Sequence, residues 1–261
     1  MYATIAGRKV HLVQSGSGPV AVLVHGFPLD AGLWLDQVAG LADVRTVVAV
    51  DLRGCGGSGP IGDERLSMEA LASDLDLLAD HLGADTIDLA GLSMGGYVAL
   101  AFADLFGHRL RSLALLNTNA TADGEEARAN RDAAAERVVV GGRAYFAEDL
   151  AAVLLGPNAS LTARARLRSM VEGSRYETIV ASLAAMRDRP DRSGILGTVD
   201  VPALVVAGEH DRLAPPEEAA ALSRALPRGD LVVVPNAGHL TPIEAPEMVT
   251  EALRGLYHRS Q

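Results

Sequence analysis

The 261-residue sequence predicts an α/β fold, with a mostly parallel sheet held between two layers of helices. Three observations carry this. After an initial hairpin, six short runs rich in Val, Leu and Ile recur along the chain, nearly continuous rather than alternating, as strands buried on both faces of a parallel sheet should read. Helical patterns separate them, so right-handed crossovers follow. One interval, residues 118–196, breaks this rhythm with Ala, Arg and Glu and no strand-like run.

In chain order, YATIA (2–6) and KVHLVQSG (9–16) read as a hairpin around Gly7. VAVLVHG (20–26) and RTVVAVD (45–51) are the first buried strands. Leu71, Leu75, Leu78 and Leu82 then form one helical stripe, ended by Gly83. TIDLAG (86–91) is a strand, the segment after Ser93 is helical through Tyr97, Leu100, Ala101 and Leu105, and SLALLN (112–117) is again a strand. ALVVAG (203–208) and LVVVPN (231–236) complete the six. The interval 118–196 is too long for a plain connection. It is read as a helical cap over a core made of 1–117 and 197–261, with Tyr145, Phe146, Met170, Tyr176 and Met186 as its large residues.

Composition narrows the function. Hydrophobic residues make up 49% and charged residues 21%, a globular balance in which one core buries most of the apolar surface. A net charge of −10 disfavours nucleic acid and anionic membrane as partners. Cys55 is the sole cysteine, so no intrachain disulfide forms. Neither a signal-peptide core nor a bilayer-length apolar run is present, and the expected location is cytoplasmic.

The chemistry concentrates around Ser93. DLAGLSMGGYVAL (88–100) has the form G-x-S-x-G, between a strand pattern ending at Ala90 and a helical pattern starting near Met94. A turn this tight strains the serine backbone, and side chains at Gly91 or Gly95 would collide with the neighbouring helix and strand. Gly96 allows close helix–sheet packing. A hydroxyl needs a base. His239, in NAGHLTPIEAP after the last strand, is the best placed of the seven histidines. The base needs an acid to fix its tautomer, and Asp211 in VVAGEHDRLAPP lies just past another strand, with Glu209 as the second candidate. Asn117 and Asn119 follow the preceding strand but are not carboxylates. The backbone N–H of Met94 and that of Phe27, in VLVHGFPLD (22–30), are the expected oxyanion donors, and His25 is expected to brace the latter loop.

The set HGFP, DLRGCGGSG, GLSMGG, GEHD and AGHL, in this order, resembles the serine-nucleophile α/β-hydrolase superfamily over nearly the whole chain outside the cap. Within it the chain is similar to small bacterial esterases, 3-oxoadipate enol-lactonases and cofactor-free haloperoxidase/arylesterases. The resemblance implies an α/β-hydrolase fold with an eight-stranded, mostly parallel sheet and an inserted helical cap. It also implies hydrolysis of a small carboxylic ester or lactone by Ser93, His239 and Asp211, without a cofactor. Branches that open epoxides or remove halogens carry Asp where Ser93 stands. Carbon–carbon hydrolases usually carry another oxyanion loop and Asn where Leu92 stands.

Competing readings attach to specific residues. GCGGSG (54–59) satisfies G-x-G-x-x-G and raises a nucleotide-dependent oxidoreductase, but Asp51, Leu52 and Arg53 separate it from its strand and Pro60, Ile61 and Gly62 follow it. Asp51 and Arg53 are read as bracing this loop. A receptor-like member of the same fold, binding a ligand with little turnover, is the other alternative. Cys55 is read as a packed residue, Trp34 as packing under the oxyanion loop, and His11, His81, His108, His210 and His258 as surface or helix-end residues. No His/Cys/Asp/Glu cluster has metal spacing.

Overall fold

The computed structural model describes residues 1–260, apart from the side chain of Tyr145. Eight strands form one sheet: β1 (Tyr2–Ile5), β2 (Arg8–Ser15), β3 (Val20–Val24), β4 (Thr46–Val50), β5 (Ile87–Leu92), β6 (Leu110–Leu116), β7 (Ala203–Gly208) and β8 (Gly229–Val234). Their order is β1-β2-β4-β3-β5-β6-β7-β8. β2 runs antiparallel to β1 and β4, and every other pair is parallel. The central strands β3, β5 and β7 are buried at every position, which is why their sequences lack alternation. β8 departs from that reading. It is an edge strand, and Leu231 and Val233 are partly exposed despite its continuous apolar sequence.

Helices α1 (Leu35–Gly40), α2 (Met68–His81), α3 (Met94–Phe106), α7 (Pro216–Ala225), α8 (Thr241–Glu244) and α9 (Pro246–Arg259) belong to the flanks of the sheet and its loops. Ser67 caps α2 by accepting the N–H of Ala70. Leu71, Leu75 and Leu78 of α2 are fully buried, each contributing about 1.5–3 kcal/mol by leaving water. The amino ends of the strands are closed by a buried ion pair. Arg45 Nε lies 2.8 Å from Asp88 Oδ2, Ser112 donates to Asp88 Oδ1, and Arg45 also donates to the carbonyl of Tyr257 in α9. This leaves the carboxyl ends for chemistry.

Between β6 and β7 the chain makes α4 (Glu125–Leu154), α5 (Leu161–Gly173) and α6 (Tyr176–Arg187). α4 is broken at Gly142, which adopts a left-handed φ of 80°. Ser174 Oγ donates to the carbonyl of Pro28, and Thr178 Oγ1 to that of Gly54, fastening this insertion to loops after β3 and β4. Among the described residues, no helix is long and apolar enough to cross a membrane.

Candidate active site

Strand order reverses at β3, whose neighbours are β4 and β5, so the loops after β3 and β5 flank a crevice at the carboxyl edge. Ser93 stands there. It follows β5 directly, with φ 54° and ψ −113°, and immediately precedes α3. This strained turn exists because its neighbours are glycines. A Cβ on Gly91 would lie 2.1 Å from the carbonyl oxygen of Gly95, and one on Gly95 would lie 2.3 Å from that of Val24. Gly96 serves a different contact from helix–sheet packing alone: a Cβ there would meet Thr118 Cγ2 at 2.5 Å. Thr118 Oγ1 in turn donates to the carbonyl of Ser93 at 2.9 Å.

Asp211 and His239 meet through a 2.8 Å hydrogen bond between Oδ2 and Nδ1, both side chains being buried. Asp211 Oδ1 accepts the N–H groups of Leu213 and Ala214 at 2.9 and 3.1 Å. Burial alone would raise the Asp211 pKa, but the imidazole beside it and the hydrogen bonds from His239, Asn117 and Leu213 hold it below the usual carboxylate range. Glu209 lies apart: it is exposed and accepts the N–H of Asn236. His239 Nδ1 is therefore the proton donor to Asp211, which leaves Nε2 as the basic nitrogen. Nε2 is buried and has no hydrogen-bond partner.

Ser93, His239 and Phe27 line one cavity of about 410 Å³, and no hydrogen bond joins Ser93 Oγ to His239 Nε2. Such bonds often tighten only when substrate is bound. Gly26 brings the β3 loop onto the serine, since a Cβ there would lie 3.3 Å from Ser93 Cβ. Among the described residues, the N–H groups of Phe27 and Met94 donate to no acceptor in the protein. His25 is fully buried, with Nδ1 against the carbonyl of Gly26 at 2.9 Å and Nε2 accepting the N–H of Leu52 at 3.1 Å. It braces the loop as its position in the sequence implies, and both its nitrogens are used.

The insertion supplies the other wall. Phe146 packs edge-on against Phe27, with ring centroids 6.3 Å apart. Leu150, Val153, Leu154, Leu183 and Met186 continue the apolar lining, while Asn119, Asp123 and Arg131 make a polar end. Buried Asp123 pairs with both Arg131 and Arg189, and the guanidinium of Arg189 sits 3.9 Å from the ring centroid of Tyr97. Of the large insertion residues singled out in the sequence, Phe146 and Met186 line the cavity and Met170 is buried elsewhere; the side chain of Tyr145 lies outside the described residues.

Other sequence candidates sort away from the cavity. In the 54–59 loop, Asp51 Oδ2 accepts the N–H of Gly57, Gly54 donates to the carbonyl of Gly59, and the next helix begins only at Met68. The N–H groups of Gly54, Cys55, Gly57, Ser58 and Gly59 all donate within the protein, and the loop does not open directly into a helix, so it is not built as a pyrophosphate cradle. Asp51 and Arg53 do brace this region, but separately: Asp51 bonds His11 Nδ1 at 2.8 Å, and Arg53 pairs with Asp74 and Glu64. His11 is thus half-buried and partnered, not a plain surface residue. Cys55 is buried, and that burial, with Asp51 and Asp30 nearby, pushes its thiol up to about 12, which makes it inert.

Three residues that the sequence did not single out for the site complete it. Asn117 bonds Asp211, Thr241 bonds Asn117, and Glu244 accepts the N–H groups of Gly238, Leu240 and Gly156, flanking His239 on both sides. Glu244 five residues past the histidine was the available signal.

Comparison with known proteins identifies the family of the fold. A thermophilic esterase from Thermogutta terrifontis, solved with malate bound, is 38% identical, with a TM-score of 0.94 over 100% of this chain and 98% of that one. The enol-lactonase from Burkholderia xenovorans is 26% identical, with a TM-score of 0.88 over 99% of this chain and 100% of that one. The dihydrolipoyllysine-residue acetyltransferase component of the acetoin cleaving system of Pseudomonas putida is 32% identical over 96% of this chain, which spans 67% of that protein. Two further curated relatives are spanned for only 20% and 35% of their lengths. Residues 21–252 match the alpha/beta hydrolase family as a whole. With its eight-stranded sheet, flanking helices and serine turn after β5, this chain belongs to the alpha/beta hydrolase family.

Proposed function

We propose that the protein hydrolyses a small carboxylic ester or lactone through an acyl-enzyme on Ser93. The observation that carries this is the 2.8 Å Asp211–His239 bond, whose free Nε2 belongs to the same cavity as the serine of a strained, glycine-walled turn. The esterase and enol-lactonase among its structural relatives support the same substrate class.

In this mechanism His239 Nε2 takes the Ser93 proton as Oγ attacks the carbonyl carbon. The N–H groups of Phe27 and Met94 hold the oxyanion, each worth about 3–4 kcal/mol of transition-state stabilisation. His239 then gives its proton to the leaving alcohol oxygen, or to the ring oxygen of a lactone. Water, deprotonated by the same nitrogen, attacks the acyl carbon and releases the carboxylic acid and Ser93. Asp211 stays ionised and orients the imidazole. Residues 118–196 act as the cap, covering the site and excluding water, so that these dipoles are stronger than in bulk solvent. No step uses a metal or cofactor, and dialysis against EDTA is expected to leave turnover intact.

The test is steady-state turnover on a panel of esters and lactones of graded chain length, compared between the wild type and Ser93→Ala. Turnover that vanishes in the variant supports the reading. Ligand binding without turnover in the wild type would favour a receptor instead.

A further inference from the structure

The geometry points to Asn117 as a positioning residue that fixes the acid and the base of the triad against each other through a single side-chain amide. This rests on the reading of Ser93, His239 and Asp211 as the catalytic set. Asn117 directly follows β6, which lies in the sheet between β5, leading into Ser93, and β7, leading into Asp211. Its Nδ2 donates to Asp211 Oδ2 at 2.9 Å, the same oxygen that bonds His239 Nδ1. Nδ2 also reaches the carbonyl of Gly238, next to the histidine, at 3.3 Å. On the other side its Oδ1 accepts from Thr241 Oγ1 at 2.7 Å, two residues past His239. One amide therefore touches the loops after β7 and β8 together.

Two features set its orientation. An ionised Asp211 only accepts hydrogen bonds, so the amide must present its nitrogen. The Thr241 hydroxyl then donates to the oxygen that remains. The backbone is committed as well: Asn117 has a left-handed φ of 48°, and its N–H donates to the carbonyl of Val206 at 2.8 Å. Asn is among the few residues other than Gly that take this conformation readily. Both the side chain and the main chain thus select asparagine here.

The consequence is specific to the imidazole. Asp211 Oδ2 shares its charge between a neutral amide and the histidine. Without the amide, that charge is concentrated on His239, so the imidazolium form gains stability and the ring orientation loosens. The other ionisable groups around the pair are occupied or belong to the far wall. Glu244 is taken up by backbone amides, Glu209 accepts from Asn236 and lies 3.9 Å from His210, and Asp123, Arg131, Arg137 and Asp149 line the cavity from the insertion.

Asn117→Gly is the informative variant, because glycine keeps the left-handed backbone while removing the amide. Expected is a fall in kcat of about tenfold to a hundredfold with KM nearly constant, since the loss is one of alignment. In 15N-histidine-labelled protein, with the His239 resonance assigned by its loss in His239→Gln, the titration of His239 should move to higher pH. Thr241→Val leaves residue 117 untouched and should produce the same changes at smaller size, whatever the folding yield of the glycine variant. Unchanged kcat and an unchanged His239 titration would overturn the proposal. So would a loss of activity that tracks folded protein alone while the titration stays fixed. The titration needs no turnover: a failed esterase reading shows as an inactive wild type, while the resonance still reports on the amide.

Discussion

Asp211 Oδ2 lies 2.8 Å from His239 Nδ1, although the two residues stand 28 positions apart on loops after different strands. Both side chains are buried, and the bond settles which imidazole nitrogen faces the cavity. A buried carboxylate without such partners would tend to take up a proton. Here four hydrogen bonds keep it charged: His239, Asn117, and the N–H groups of Leu213 and Ala214.

Ser93→Ala and His239→Ala should each lower kcat by several orders of magnitude and leave the melting temperature within a few degrees. The two losses should not add in the double variant, because the residues act as one unit. Near-full activity in either folded single variant would remove that residue from the mechanism.

Acidification should switch the enzyme off by protonating an imidazole, not Asp211, whose pKa is depressed. The kcat/KM profile should therefore fall with one proton well above about pH 4, the ordinary aspartate range. A rate that stays flat down to about pH 4 contradicts a histidine base. Stability follows Asp211 separately. Its folded value is lowered, so its contribution is complete above the unfolded carboxylate value and is lost as the pH falls through the folded one. Asp211→Asn should flatten that acid loss in denaturant titrations.

Gly95→Ala places a methyl 2.3 Å from the carbonyl of Val24, between backbone atoms with no flexible side chain to yield. The β3 loop and the serine turn must separate. Expected is a loss of about 1–3 kcal/mol in denaturant unfolding, together with reduced kcat because Phe27 retreats from Ser93. Wild-type stability and rate in this variant would contradict the close contact.

At the opposite end of the sheet, Arg45→Ala leaves buried Asp88 without its main partner. Thermal and chemical unfolding should show a loss of about 3–5 kcal/mol. The kcat of the folded fraction should be unchanged, since the pair lies at the amino ends of the strands.

How far the sequence carried can be judged residue by residue. Buried parallel strands advertise themselves as unbroken Val and Leu runs, and the glycines around Ser93 reflect backbone contacts that any side chain would block. These signals are local, and the fold and the serine turn were legible from them. β8 misled because an edge strand can be as apolar as a central one, with its exposure set by what packs beside it. Asn117 was passed over because an amide cannot be the acid. Its role depends on Asp211 and Thr241, 94 and 124 positions away, and no spacing in the chain encodes that meeting. The lining residues of α4 and α6 were hidden for the same reason, since facing the cavity and facing the interior of the insertion require the same apolar side chains.

The central claim is that Ser93 is a nucleophile activated by His239. The direct measurement is reaction with a fluorophosphonate, with the modified residue located by peptide mass. One adduct on the peptide carrying Ser93, formed rapidly in the wild type and slowed at least a hundredfold in His239→Ala, is the predicted result. No adduct on a folded wild-type protein, or an adduct on another serine formed equally fast without His239, would contradict it.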